Sequence, residues 1–258
     1  MRSADIFSSV LGVLAVAVNV SAQCDRASLK TLADSYIAAQ TAGKSSSISS
    51  LSSTVAYTEN YKTASISAGI LATPLKIDHN RSTFDTTACA SYTELIVATG
   101  SHPYVIGTQI HAPNGSITAV DTLVTDKGDW LFNATGTLYW ASREDWGPID
   151  ASKRDSRQVI QAAADAYLDY FKDKSVKVPW GTPCARLEGG SYTGKGAATD
   201  SCNVGVPNNI NLTKRRYVID EELGAVDVFL SFEDLPDSHE FRVEGGKLRF
   251  VHTLTVMG

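Results

Sequence analysis

The chain has 258 residues, 43% hydrophobic and 20% charged, and its 23 lysines and arginines against 28 aspartates and glutamates give a formal charge of −5. This apolar share excludes an intrinsically disordered chain, and 19 glycines and 8 prolines are too few for collagen or low-complexity sequence. With a pI near 5.5 the chain offers no basic surface, so we expect no nucleic-acid partner. The length allows one large domain or two smaller ones.

The first 22 residues have the pattern of a secretory signal peptide. Arg2 precedes an apolar run from Val10 to Val18, and Val20-Ser21-Ala22 places small residues where signal peptidase cleaves. The run is about half of the roughly 20 residues that a membrane span needs. We therefore expect removal of segment 1–22, a secreted or secretory-lumen location, and no membrane association of the remainder.

Four cysteines in an oxidising compartment predict two disulfides. Three pairings are open, and the sequential one, which gives one bridge to each half of the chain, is favoured: Cys24 with Cys89 and Cys184 with Cys202. No C-x-x-C pair or suitably spaced histidine accompanies them, so we expect no metal site. Sequons predict glycosylation at surface turns, at Asn80, Asn114, Asn133 and Asn211.

An internal repeat divides the chain. Asp25 caps a predicted helix, and Asp155, with Gln158 three residues later, caps a second. Both have apolar residues at the spacing of one buried face, and the two sets are 131 positions apart: Leu29, Leu32, Ala33, Tyr36 and Ile37, then Ile160, Ala163, Ala164, Tyr167 and Leu168. Segments 120–123 and 251–254 align at the same separation.

Short β-rich runs follow each helix. They cover 93–99, 104–111 and 117–125 in the first half, and 216–220, 226–232, 240–243 and 248–256 in the second. Pro113-Asn114-Gly115 and Glu244-Gly245-Gly246 are typical hairpin turns. We predict an α+β fold of two lobes, 23–146 and 147–258, each a helix packed in a curved antiparallel sheet around an apolar interior. Segment 130–146 either continues the first sheet or joins the halves.

This order of elements resembles the NTF2-like (SnoaL-like) fold, present twice. The second half is similar to a fungal secreted family of unassigned domains through Val178-Pro179-Trp180-Gly181, segment 186–193, segment 215–221, and His239-Glu240-Phe241-Arg242 leading to 251–255. The first half is tied to it by the repeat and by Tyr57-Thr58-Glu59-Asn60. The family includes hetero-Diels–Alderases of fungal tropolone–sesquiterpenoid pathways, although NTF2-like pockets host many chemistries.

His252 is a candidate for proton transfer. Strand alternation places it on the apolar face of the last predicted strand, with Leu248, Phe250, Leu254 and Val256. There it either exchanges protons at a pocket wall or is a core histidine bonded within the fold. The repeat places Asp121 at the matching position, facing inward with Ile117, Ala119 and Leu123. A buried carboxylate needs a partner or its pKa rises, so Asp121 is either paired structurally or poised as an acid.

Arg186 and Tyr192 are candidates to bind a substrate oxygen, with Glu188 beside them. The alternative is an Arg186–Glu188 ion pair that holds the loop. We expect the substrate to contact Glu188, Tyr57, Phe250 and Tyr167. In segment 239–242, His239 and Phe241 face away from Glu240 and Arg242, so one pair is expected to face solvent. Segment 215–222 is expected to be a charged sheet edge, through Arg215, Arg216, Asp220, Glu221 and Glu222.

The resemblance implies a cofactor-free cyclase of fungal meroterpenoid biosynthesis. It would dehydrate a hydroxylated precursor and steer a hetero-Diels–Alder cyclisation between polyketide- and terpene-derived partners. No nucleophile motif or phosphate-binding loop is present in the sequence, so we expect no cofactor. The alternative is a non-catalytic secreted protein that binds a small molecule or acts as an effector. NTF2-like domains often pair through sheet faces, so the resemblance also allows a homodimer.

Overall fold

The computed structural model describes residues 24–258, and the predicted signal peptide 1–22 lies outside them. Lobe 1 comprises one helix and six strands: α1 (Arg26–Ala42), β1 (Leu51–Glu59), β2 (Lys62–Thr63), β3 (His79–Asp85), β4 (Ala90–Val97), β5 (Tyr104–His111) and β6 (Ile117–Thr125). A linker with the short helix α2 (Ala134–Ala141) follows. Segment 130–146 therefore joins the halves rather than extending the first sheet.

Lobe 2 repeats this order. Its elements are α3 (Arg157–Asp169), β7 (Trp180–Glu188), β8 (Ser191–Tyr192), β9 (Leu212–Asp220), β10 (Ala225–Phe232), β11 (Leu235–Glu244) and β12 (Lys247–Thr255). The sheet orders match position by position, β2-β1-β6-β5-β4-β3 and β8-β7-β12-β11-β10-β9. The predicted α+β fold of two lobes is confirmed. What sequence reasoning missed is that β1 and β7 lie parallel to β6 and β12.

One helix packs against the inner face of each sheet. The inner cores contain Leu32, Tyr36 and Ala39 of α1, and Ile160, Ala164, Tyr167 and Leu168 of α3. Asp25 caps α1 by accepting from the Ser28 N–H at 2.7 Å, as predicted. The cap of α3 is Ser156 rather than Asp155, because the Asp155 carboxylate accepts from the Gly246 N–H of the β11–β12 turn.

The disulfides are Cys24–Cys89 and Cys184–Cys202, the sequential pairing. Two disulfides are consistent with a secreted protein. Within residues 24–258, no helix is long and apolar enough to cross a membrane. All four sequon asparagines are exposed, but Asn80 lies within β3 and Asn133 is the N-cap of α2 rather than a turn residue.

The outer faces of the two sheets pack against each other, and β3 meets β9 through matched interactions. Asp85 Oδ2 accepts from the Ile219 N–H, and Asp220 Oδ2 accepts from the Phe84 N–H, both at 2.9 Å. Two arginines at matching helix starts complete the pairs: Arg157 contacts Asp85, and Arg26 contacts Asp220, both at 2.7 Å. The two sets of contacts are equivalent, so the lobes are related by an approximate two-fold symmetry. Asp220 is buried, so placing it on a charged sheet edge was wrong.

Replacing Asp85 by alanine should therefore destabilise the fold strongly. The substitution leaves Arg157 without its partner and the buried Ile219 N–H without an acceptor, so we expect the free energy of unfolding to fall by about 3–5 kcal/mol in urea titrations. The matched control is Asp34→Ala, which breaks an exposed pair with Lys30 and should cost less than about 1 kcal/mol. Equal losses in the two variants would contradict a stabilising role for the Asp85–Arg157 contact.

Candidate functional site in lobe 2

A cavity of about 360 Å³ opens at the end of the lobe 2 sheet. Its lining is mostly apolar and includes Trp130, Phe171, Ile210, Phe232, Leu235 and Met257. Trp130 comes from the linker, and its backbone N–H donates to the Thr255 carbonyl at 3.3 Å. The linker therefore forms part of the mouth of the lobe 2 cavity.

Within this apolar lining lies a histidine oriented by an aspartate. His239 Nδ1 and Asp237 Oδ1 are 2.6 Å apart, and Thr255 Oγ1 donates to Asp237 Oδ2 at 2.6 Å. Because a carboxylate can only accept, the imidazole proton is assigned to Nδ1. That leaves Nε2 as the nitrogen that can take up a proton, and no residue in 24–258 hydrogen-bonds to it. An aspartate that orients a histidine in this way is a common proton-transfer arrangement.

A second polar group lies beside the pair. Glu188 and Thr253 line the cavity from neighbouring strands, and Glu188 Oε1 is 2.9 Å from Arg186 Nε. Arg186 is buried, and Tyr167 of α3 lies against it. The Arg186–Glu188 pair that we expected as the structural alternative does form, and it forms at the cavity rather than in an exposed loop.

Strand alternation explains why these side chains converge. On β11, Asp237, His239 and Phe241 face the helix, whereas Ser238 and Glu240 face lobe 1. The expectation that one of these pairs is solvated was wrong, since both faces of β11 are buried. Lobe 1 also braces the site, because the Tyr61 hydroxyl lies between two backbone carbonyls of lobe 2, 2.8 Å from that of Leu230 and 3.3 Å from that of Asp237.

Lobe 1 carries different residues at the matching positions. The strand register places Ile106 and Thr108 where lobe 2 has Asp237 and His239. The 3-10 turn Ile70–Ala72 packs into the lobe 1 core, and the Ile70 N–H donates to Glu59. Tyr57 also donates to Glu59, so a Tyr57 contact with substrate would have to occur in lobe 1, apart from the lobe 2 cavity.

His252 does not line the cavity, contrary to a proton-transfer role at its wall. It faces lobe 1 on the outer side of β12, where Nε2 is 2.6 Å from Glu144 Oε2 and Nδ1 is 2.9 Å from Glu94 Oε1. The faces of β12 are reversed from the prediction: Val251 and Thr253 face the interior of lobe 2. His252 is therefore a histidine bonded within the fold, the alternative that the sequence left open.

His252 belongs to a buried ionic cluster between the lobes. Arg81 contacts Glu240, lies 3.2 Å from Glu94 Oε2, and stacks 3.8 Å above the Trp146 ring. Ligand atoms of Glu94, Glu240 and His252 lie within 4.8 Å of one another, a spacing that could hold a metal ion. Arg81, however, contacts both carboxylates and already supplies the cation between them, so the group fits an ion cluster better than a metal site.

The cluster shifts the pKa values of its members. Burial alone would lower the pKa of His252, but Glu144 and Glu94 raise it to about 10. Burial alone would raise the pKa of Glu94, but Arg81 and His252 hold it at about 2. For Glu240, burial raises the pKa although Arg81 opposes the shift. Near neutral pH, His252 is therefore a cation and Glu94 an anion.

The remaining candidate residues are dispersed. Asp121 also lies on the outer face rather than inward, where Thr58 Oγ1 donates to it at 2.6 Å. Tyr192 points away from Arg186 and stacks on Trp140, with ring centroids 3.9 Å apart. Phe250 packs on Trp146, and with Tyr192 and Glu144 it lines a separate, more open pocket. The cavity thus brings together Glu188, with Arg186 and Tyr167 behind it, but not His252, Asp121, Tyr192 or Phe250.

One comparison with known proteins covers this lobe. Residues 153–255 match the model of a family described as a domain of unknown function (DUF8021). The matched segment includes α3 and every strand of lobe 2, and so contains Asp237 and His239. Neither a curated protein nor a solved structure matches the chain.

The pKa values of the cluster predict how stability depends on pH. The pKa of His252 is raised from 6.5 to about 10 by folding, so its contribution is complete below pH 6.5 and is lost as the pH rises toward 10. His252→Gln should lower the free energy of unfolding by about 3–5 kcal/mol at pH 6, and by clearly less at pH 10. Urea titrations of both proteins at the two pH values measure the difference.

The matched control is His102→Gln. His102 pairs with Asp126 at the exposed surface, so its replacement should change stability by less than about 1 kcal/mol at either pH. A His252→Gln loss that does not shrink between pH 6 and pH 10 would show that His252 is not held as a cation.

Proposed function

We propose that the protein is a cofactor-independent enzyme that transfers protons within an apolar small molecule held in the lobe 2 cavity. The observation that carries the proposal is His239, oriented by Asp237 and facing an apolar cavity through its free Nε2. The cavity lining is mostly apolar, and in such surroundings each polar group has a stronger electrostatic effect on a bound molecule.

The reaction class that suits this arrangement is dehydration. His239 Nε2 would take the proton from an enolic or phenolic hydroxyl of the substrate, whose oxygen then becomes a carbonyl as the conjugated bonds shift. The same proton would pass to a benzylic hydroxyl, which leaves as water. Protons and electrons balance without an oxidant or reductant, and Asp237 stabilises the imidazolium formed between the two transfers.

Cyclisation of the dehydrated product would then need only its confinement. A cavity that holds a reactive diene beside an alkene removes much of the entropic barrier to their combination. The resemblance to hetero-Diels–Alderases of fungal meroterpenoid pathways supports this second step and suggests a hydroxylated tropolone and a terpene alkene as substrates. His239 here takes the role that sequence reasoning gave to His252.

His239→Gln tests the chemistry directly. Purified protein is incubated with a benzylic-alcohol tropolone and a terpene alkene, and the rate, product ratio and stereochemistry are compared with buffer alone. We expect wild-type protein to raise the rate and fix the stereochemistry, and His239→Gln to reduce the rate by about 10²- to 10⁴-fold, because it removes the proton acceptor.

The matched control changes the equivalent lobe 1 position, Thr108→Val, and should retain the wild-type rate if lobe 2 holds the working site. Products identical to those in buffer would reject the enzyme. If wild-type protein left the products unchanged from those in buffer but still bound the two substrates, the protein would instead be a small-molecule binder, the alternative left open by the sequence.

A further inference from the structure

Three buried hydrogen-bonding atoms lie unpaired in the interior of lobe 2, and one of them belongs to Thr253, which lines the cavity. Tyr167 OH, Thr253 Oγ1 and Arg186 Nη1 have no hydrogen-bond partner among residues 24–258. The three residues are 0%, 7% and 3% exposed. Folded proteins leave few such groups unpaired, because each one forfeits its hydrogen bonds to water. Three together in one lobe indicate a partner from outside the protein.

These atoms belong to one region. Arg186 and Thr253 lie on the paired strands β7 and β12, and both face the interior of lobe 2. Burial raises the pKa of the Tyr167 hydroxyl, and the neighbouring Arg186 partly offsets that rise. Gly205 lines the cavity, and a Cβ placed on it would be 3.8 Å from Arg186 Nη2. The guanidinium therefore approaches the cavity wall. Arg186 pairs with Glu188, Thr253 lies opposite Glu188 on the neighbouring strand, and the Tyr167 ring is 5.8 Å from the ring of His239, so the three groups surround the polar part of the cavity.

All three groups can donate hydrogen bonds, so a ligand bound to them must offer a hydrogen-bond acceptor. Arginine can only donate hydrogen bonds, and the tyrosine and threonine hydroxyls are free to donate. Three carboxylates, Glu188, Glu233 and Asp237, line the same cavity. They would repel a carboxylate or phosphate ligand, whereas a neutral carbonyl oxygen avoids that repulsion and still accepts from the donors.

We infer that Arg186, Tyr167 and Thr253 form a carbonyl-binding site, so that the ligand of lobe 2 is a neutral ketone or aldehyde. Its carbonyl oxygen lies at the inner end of the cavity, and its apolar body extends toward Trp130 and Met257 at the mouth. This inference rests on the proposed function in using the same cavity, but binding of an unreactive ketone does not depend on turnover.

Calorimetric titration with three probes of similar shape tests the site: 2-acetylnaphthalene, 2-naphthoate and 2-isopropylnaphthalene. We expect wild-type protein to bind the ketone more tightly than the other two. Tyr167→Phe and Thr253→Val should each weaken ketone binding by about 3- to 10-fold, since each removes one donor, and should leave binding of the hydrocarbon unchanged.

Stability separates this role from a structural one. Tyr167→Phe removes a hydroxyl whose only polar neighbour, Arg186, lies outside good hydrogen-bond geometry, so its Tm should be close to that of wild type. The control is Tyr36→Phe, the equivalent change in lobe 1, which removes a 2.7 Å bond to Thr108. It should lower the Tm and leave ketone binding unchanged.

Either of two results would overturn the inference. Ketone affinity unchanged in Tyr167→Phe and Thr253→Val would mean that ordered water satisfies the donors, and tighter binding of 2-naphthoate would mean that the site takes anions. His239→Gln should still bind the ketone. Failure of the proposed chemistry would appear as wild-type protein that binds the ketone but gives the same tropolone products as buffer alone, so the two failures are distinguishable.

Discussion

The two sheets associate through a buried cluster of charged side chains, and this cluster fixes how the lobes and the linker are arranged. Arg81 and Glu94 come from lobe 1, and His252 and Glu240 from lobe 2. Glu94, His252 and Glu240 are almost completely buried, and the Arg81 side chain is 10% exposed. A buried charge without its partner is strongly destabilising, and here Glu240 pairs with Arg81, and His252 with Glu94, across the boundary between the lobes. Neither sheet could therefore present this face to an apolar neighbour, and the lobes must associate in one relative position to neutralise it. Glu144 joins the two from the linker, so the connecting segment is fixed as well.

This contact also determines what faces the cavity. Ser238 and Glu240 bond outward, to Asp227 and to Arg81, and they fix the register of β11. Because side chains alternate along a strand, Asp237 and His239 must then point inward. A shift of the β11 register by one residue would bury His239 against lobe 1 and place Glu240 in the apolar cavity. Both changes would destabilise the fold. The orientation of the candidate catalytic pair is thus set by interactions that do not touch it.

Much of the fold could be predicted from the sequence, because its signals are local. Helix periodicity, the Asp25 cap and the glycine turn before β12 depend on neighbouring residues, and the 131-residue repeat required two similar lobes. The parallel pairing of β1 and β7 depends on distant strands and has no local signal. The site was missed for a related reason: periodicity placed His252 among apolar residues, but both faces of β12 are buried, and alternation alone cannot say which face meets the helix. The correct signal was weak, namely two polar side chains, Asp237 and His239, spaced two apart in a strand.

The approximate two-fold symmetry explains why one lobe can carry a site without loss of the fold. The contacts between the lobes are duplicated, as in Asp85 with Arg157 and Asp220 with Arg26. Each lobe therefore contributes an equivalent ion pair to their association. Inner-face residues are free to differ, and they do: lobe 1 fills its interior with the Ile70–Ala72 turn, whereas lobe 2 leaves a cavity with unpaired donors. Empty space and unpaired polar groups both cost stability. Lobe 1 and the linker offset that cost by bracing the site from outside, through the Tyr61 hydroxyl and the backbone of Trp130, so the cavity belongs to lobe 2 but depends on the whole chain.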